Sequence, residues 1–162
     1  MRLSALILVP LLAAGVFSVG CRHREEPPPP APPAPVKPAT GWTSEITGSA
    51  AGALVEALTS DGWVTKFRET NGRMPVIEVV QFEDRSGDHV PVDEVAAEFV
   101  RLLGTNDRVL AATAGQVSDV TLTGVIGLRA ASAAQEFTID ARVTERRSGD
   151  AAWVAGITRP RP

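Results

Sequence analysis

The 162-residue chain has no tyrosine, two histidines and one cysteine, and only 5% of it is aromatic. A lone cysteine cannot close an intramolecular disulfide, and with only His23 and His89 beside it no thiolate–imidazole metal set can assemble. The scarcity of aromatics leaves a sugar-stacking groove poorly supplied. Positive charge is not in excess: 16 Lys and Arg face 19 Asp and Glu, for a net charge of −3. With no basic stripe and no interleaved aromatics, nucleic acid is not an expected ligand. No apolar run reaches the ~20 residues that span a bilayer as a helix. The pattern for a nucleophile elbow, a zinc-protease helix or a phosphate-binding loop is missing too, since "GSAAG" (Gly48–Gly52) has no strand before it and no lysine after it. Adjacent carboxylates Glu83–Asp84 and Asp93–Glu94 leave a paired-carboxylate hydrolase open, although neighbours in sequence seldom converge on one bond. Their plainer reading is a solvated strand end and a helix first turn. The expectation is a protein that is not an enzyme, with no catalytic residue, no cofactor and no metal.

What is present begins with an apolar leader. Arg2 gives a short positive segment, and Leu6–Val19 is apolar but short and interrupted by Pro10, as in a secretory signal. Val19-Gly20-Cys21 resembles the bacterial lipobox, with Ser18 where Leu or Val is usual. The resemblance implies cleavage after Gly20, with a diacylglyceryl thioether and an acylated amino terminus on Cys21. The alternative is an ordinary signal peptide with a stray cysteine. A free thiol in an oxidising compartment is a liability that acylation removes, and two or three acyl chains anchor durably where one binds marginally. Arg22, not aspartate, follows the cysteine. By resemblance to the sorting rules of Gram-negative lipoproteins, this implies the outer membrane, on its periplasmic face.

After Cys21 comes "RHREE", then "PPPPAPPAPVKPATG". Proline fixes φ and lacks an N–H, so this run neither pairs into a sheet nor continues a helix. As extended polyproline, Arg22 to Thr40 reaches about 60 Å. A spacer is the reading adopted; an SH3 or WW ligand is the alternative. The chain thus divides into a signal peptide (residues 1–20), a lipidated Pro-rich stalk (21–41) and one small domain (42–162).

Within the last segment the apolar spacing sets the elements. Ala50, Leu54, Ala57 and Leu58 fall on one helical face, Thr59-Ser60-Asp61-Gly62 supplies a stop, and Trp63 is expected to fold back on that face. "MPVIEVVQFED" reads as a Pro-opened strand with Val76, Val80 and Phe82 on one side and Ile77 and Val79 on the other. Val92, Val95, Ala96, Phe99, Leu102 and Leu103 make the clearest helix, with Pro91 in its first turn, Asp93 and Glu94 at the positive end of its dipole, and Gly104 at its stop. "DRVLAAT" is a short strand. A meander follows: Val120, Leu122, Gly124, Ile126 and Leu128 share one face, then Phe137, Ile139, Ala141 and Val143, then Trp153, Ala155 and Ile157, with "RRSGD" as the turn between the last two strands. The expected fold class is α+β, helices packed on a mostly antiparallel four-stranded sheet.

The order of these blocks resembles that of LpoB-type penicillin-binding protein activators. Asp84-Arg85-Ser86 stands where the family has an Asn/Asp-Arg-Ser/Thr loop, and Asp93 lies on the amphipathic helix. Leu122-Thr123-Gly124 matches a Leu-Thr-Gly strand, and Ser148-Gly149 with Trp153 a Thr-Gly-x-x-x-Trp hairpin. The match runs from about Leu54 to Ile157; between Leu110 and Asp119 only "LAATAGQVS" stands where the family carries a longer insertion. The resemblance implies a fold like the amino-terminal domain of TolB. It also implies an outer-membrane lipoprotein that binds and stimulates a bifunctional peptidoglycan synthase without catalysis of its own. A structural or assembly lipoprotein with another envelope partner is the alternative. The expected partners are a penicillin-binding protein and, through acylated Cys21, the lipid bilayer; the chain is expected to be a monomer. The candidate contact is the loop Glu83–His89, with Asp84, Arg85, Ser86 and His89 named and Arg85 able to fork onto a carboxylate. Asp84, Arg85 and Ser86 could instead tie that loop to the helix behind it. Arg146 and Arg147 are a second candidate, with a solvated hairpin tip as the alternative.

Overall fold

The computed structural model describes residues 41–131 and 134–162, all within one compact unit. Two adjacent helices open it, α1 (Ser44–Ser60) and α2 (Gly62–Asn71). Strand β1 (Val76–Asp84), helix α3 (Val92–Gly104) and the two-residue strand β2 (Leu110–Ala111) follow. The chain ends in a meander of β3 (Val120–Ala130), β4 (Gln135–Glu145) and β5 (Ala151–Pro160). The fold is α+β.

The sheet has five strands rather than four, in the order β2-β1-β3-β4-β5. It is mixed: β1 runs parallel to both β2 and β3, while β3–β4 and β4–β5 are antiparallel. The parallel pairs follow from connectivity, because α3 carries the chain back to the start of β1 before β2, and the loop after β2 does the same before β3. Helices α1 and α3 pack on one face of the sheet and on each other. The other face carries Thr121, Thr123, Val125, Thr138, Asp140 and Arg142, as the period-2 alternation of the meander requires.

Asp61 sits where the stop was expected, with extended backbone (φ −69°, ψ 149°). It breaks α1 and also starts α2, its carboxylate accepting from the Trp63 amide at 2.9 Å. Trp63 is therefore in a second helix that the sequence reading did not include. That helix presents only Val64 as a fully buried side chain, so its period is faint. On α1 the buried stripe is Ala50, Ala51, Leu54, Val55 and Leu58, and Ala57 faces solvent. The stripe is wider than the one read from spacing because α1 touches both the sheet and α3.

The strongest departure is in β1. Val79 pairs with Leu122 and Gln81 with Thr123, so Val80 is an extra residue opposite a single step of β3. This bulge puts Phe82 in the core (4% exposed) with Ile77, while Val80 is 53% exposed. The meander obeys its alternation: Val120, Leu122, Ile126, Phe137, Ile139, Ala141, Val143 and Trp153 are all buried. Gly149, at φ 78°, takes the left-handed position of the β4–β5 turn. Pro91 stands one place before α3, at its N-cap. "GSAAG" lies inside α1.

Candidate partner-binding surface

At the carboxyl end of β1 the chain turns back to α3 through Arg85–Val90, and this loop is held from inside. The Asp84 carboxylate accepts from the Ser86 amide at 2.8 Å, the Ser86 hydroxyl at 2.5 Å and the Val90 amide at 2.9 Å. Ser86 Oγ in turn accepts from the Asp88 amide at 3.1 Å. The Arg85 amide continues the ladder to the Ile126 carbonyl at 2.7 Å. Gly87 and His89 both take positive φ, 74° and 54°. For a histidine this is a sparsely populated conformation that the surrounding bonds must hold.

A residue not singled out from sequence ties the loop to both ends of the domain. Asp88 accepts from the Gly41 amide at 2.7 Å and from the Arg161 guanidinium at 2.7 Å, and Arg161 also donates to Gln135 Oε1 at 2.6 Å. The separation of these residues along the chain is why no local pattern marks them.

The four expected site residues are thus together but differently disposed. Asp84 and Ser86 are half-buried and turned into the loop's own bonds, whereas Arg85 and His89 face solvent. Arg85 reaches back to Glu83 at 2.7 Å with its side chain 64% exposed, so a partner's carboxylate can replace Glu83 at little cost. Of the other carboxylates considered, Asp93 and Glu94 stand exposed in the first turn of α3. Cys21, the expected lipid-bearing residue, and His23 lie outside the described residues. Among the described residues, no helix is long and apolar enough to cross a membrane, and no three His, Cys, Asp or Glu side chains are grouped to hold a metal.

At the opposite end of β1 a second polar cluster closes the sheet. Asp119 accepts two bonds from Arg73 at 2.6 Å each and one from the Val76 amide at 2.9 Å. Arg146 pairs with Glu78, and its Nε donates to Ser118 Oγ at 3.1 Å. Arg146 of the expected second contact is therefore held in place, and Arg147 is not.

These two aspartates set an acid limit. For Asp84, burial pushes the pKa up, but the Ser86 hydroxyl and amide, the Val90 amide and the charge of His89 outweigh it and hold the carboxyl below its usual value. For Asp119 the Arg73 hydrogen bonds dominate and also lower it, against burial and with help from the Val76 amide and the charges of Arg73 and Arg147. A depressed folded-state pKa stabilises fully above the ordinary carboxylate range, and that stability is lost as pH falls through the depressed value. Urea midpoints measured from pH 7 downward should hold until about pH 4 and then fall. Asp84→Asn with Asp119→Asn should lower the midpoint at pH 7 and flatten that acid limb; an unchanged limb would assign it to other groups.

No family model and no curated protein matches the chain. Among solved structures it is similar to the LpoB C-terminal domain from Salmonella enterica, at 10% identity, covering 61% of this chain and 98% of that one, with a TM-score of 0.44. The LpoB C-terminal domain from Escherichia coli matches at 9% identity, with the same coverages and a TM-score of 0.43. Lipoprotein GNA1162 from Neisseria meningitidis matches at 14% identity, over 53% of this chain and 80% of that one, with a TM-score of 0.43. The likeness is one of fold.

Proposed function

We propose that the chain is an outer-membrane lipoprotein, anchored through acylated Cys21 on the periplasmic face, that binds and stimulates a bifunctional peptidoglycan synthase of the penicillin-binding class. The reading starts from the ordered motifs of the sequence together with its leader and Pro-rich segment. The observation that carries it at the site is the loop Glu83–Val90, which Asp84 and Ser86 knit internally and Asp88 ties to Gly41 and Arg161, while Arg85 and His89 face outward. A loop fixed before contact loses little conformational entropy on binding. Its partner groups would be a carboxylate for the Arg85 fork and a hydrogen-bonding group for His89. Stimulation then requires that the domain bind an active arrangement of the synthase better than an inactive one, and its size is capped by that difference.

The test is glycan-strand polymerisation by a purified bifunctional synthase from lipid-linked substrate, with and without the full chain in detergent. Addition of the chain should raise the rate, and Arg85→Glu should raise the half-saturating concentration by at least about tenfold. Binding without a change in rate would favour the assembly-lipoprotein reading. Absence of both binding and stimulation would sink the synthase assignment.

A further inference from the structure

The loop and its Asp88 clamp occupy one end of β1, where the chain arrives at Gly41 from the Pro-rich segment. The other end of the strand is roughly 25 Å away, and it opens into a groove between α2 and the β4–β5 turn, with a volume of about 740 Å³. Its lining includes Trp63 and Phe67 of α2, packed edge-to-face with ring centroids 6.4 Å apart. Val117, 83% exposed, stands on its rim.

Charge on this lining runs against the rest of the chain. Lys66, Arg73, Arg146 and Arg147 face it, against the carboxylates of Asp119, Glu145 and the Glu78 that pairs with Arg146, a surplus of one positive charge on a chain whose net charge is −3. Arg73 is fixed by Asp119 and lies over the Phe67 ring at 5.5 Å, and Arg146 is fixed by Glu78. Among the described residues, Lys66 and Arg147 make no side-chain hydrogen bond or ion pair; Arg147 acts on Asp119 through its charge alone. The Trp63 indole N–H is buried with no hydrogen-bond partner.

We propose that this groove is a docking site for an acidic extended segment of a partner protein. Carboxylates of the segment lie against Lys66 and Arg147, and an apolar side chain rests on the ledge of Phe67 and Val117. Two unpaired cations and two paired ones, beside Trp63 and Phe67, complement a chain carrying both kinds of group. An anionic membrane surface answers the charge but not the aromatic concavity, and the groove opens at the end of β1 away from Gly41. This preference follows from the groove's own charge and does not depend on the synthase assignment.

The full chain in non-ionic detergent can be titrated against a fluorescein-labelled oligoglutamate interrupted by leucines, read by fluorescence anisotropy. Saturable binding is expected, weakening as salt shortens the Debye length below about 10 Å. Lys66→Glu and Arg147→Glu should each lower affinity by about tenfold. Arg142→Glu, on the open face of the sheet, should leave it within about twofold. Lys66 and Arg147 have no partner to lose, so both variants should keep the parent's circular dichroism and urea midpoint. Three outcomes overturn the proposal: no saturable binding, equal losses in all three variants, or displacement of the peptide by phosphatidylglycerol in mixed micelles acting through the same two cations.

Discussion

Gly124→Ala is expected to destabilise the domain by about 1–3 kcal/mol, toward the upper end of that range. A Cβ on Gly124 falls 2.2 Å from Cε1 and 2.5 Å from Cδ1 of Phe82, well inside contact distance. The Phe82 ring has nowhere to go, because it stacks on Phe99 with centroids 4.8 Å apart and an interplanar angle of 29°. Both rings are buried, with 4% and 1% exposure. The bulge at Val80 is what turns Phe82 onto this glycine, since Phe82 and Gly124 are register partners across β1 and β3. The measurement is the urea midpoint of the full chain at pH 7, with Phe82→Leu and the double variant beside it. Residues in contact are not additive, and with the ring removed the new methyl has room. The double variant should therefore lose less than the sum of the two single losses. If Gly124→Ala fails to fold, Phe82→Leu with Gly124→Ala should restore folding. An unaltered midpoint in Gly124→Ala would mean that the two strands are not held this closely.

Cys21→Ser is expected to move the mature protein from the membrane fraction to the soluble fraction. Each buried methylene of an acyl chain contributes about 0.8 kcal/mol to membrane binding, so the two or three chains proposed on Cys21 would anchor the protein durably and their loss would weaken that anchor. Among the described residues, no helix is long and apolar enough to cross a bilayer. Fractionation followed by mass spectrometry of the amino-terminal peptide reads both the location and the modification. A free thiol on membrane-bound protein would remove the lipid anchor from the account. Unaltered binding of Cys21→Ser would place the anchor elsewhere in the chain.

Much of the core was legible because period and burial coincide where an element has one dry face. Val95, Phe99 and Leu103 of α3 are buried, as are Val120, Leu122, Gly124 and Ile126 of β3 and Phe137, Ile139, Ala141 and Val143 of β4, while Leu128 is half-buried. Such elements need only their own spacing to declare which side is inside. Reading failed where a local pattern met a non-local event. The Val80 bulge is set by pairing with β3, more than forty residues on, and period-2 alternation cannot show where its own phase slips. Helix α2 hides behind the stop that ends α1, because Asp61 serves both. In the candidate loop, Asp84, Arg85 and Ser86 were visible as a polar run after an apolar strand. Their division into inward and outward groups was not, since it depends on the Val90 amide and on how the loop folds over Ser86.

The sequence alone determined the identity of most elements, the inward faces of the meander and the chemistry at hand, because these follow from spacing and composition within a few residues. The tertiary structure decided which polar residues meet. It clamps Asp88 between Gly41 and Arg161, pairs Arg73 with Asp119, and leaves Lys66 and Arg147 without partners over an aromatic groove. Those juxtapositions join residues up to 73 positions apart. Only closure of the sheet brings such charges within hydrogen-bonding range, and only there does it become fixed which of them are neutralised and which remain for a partner.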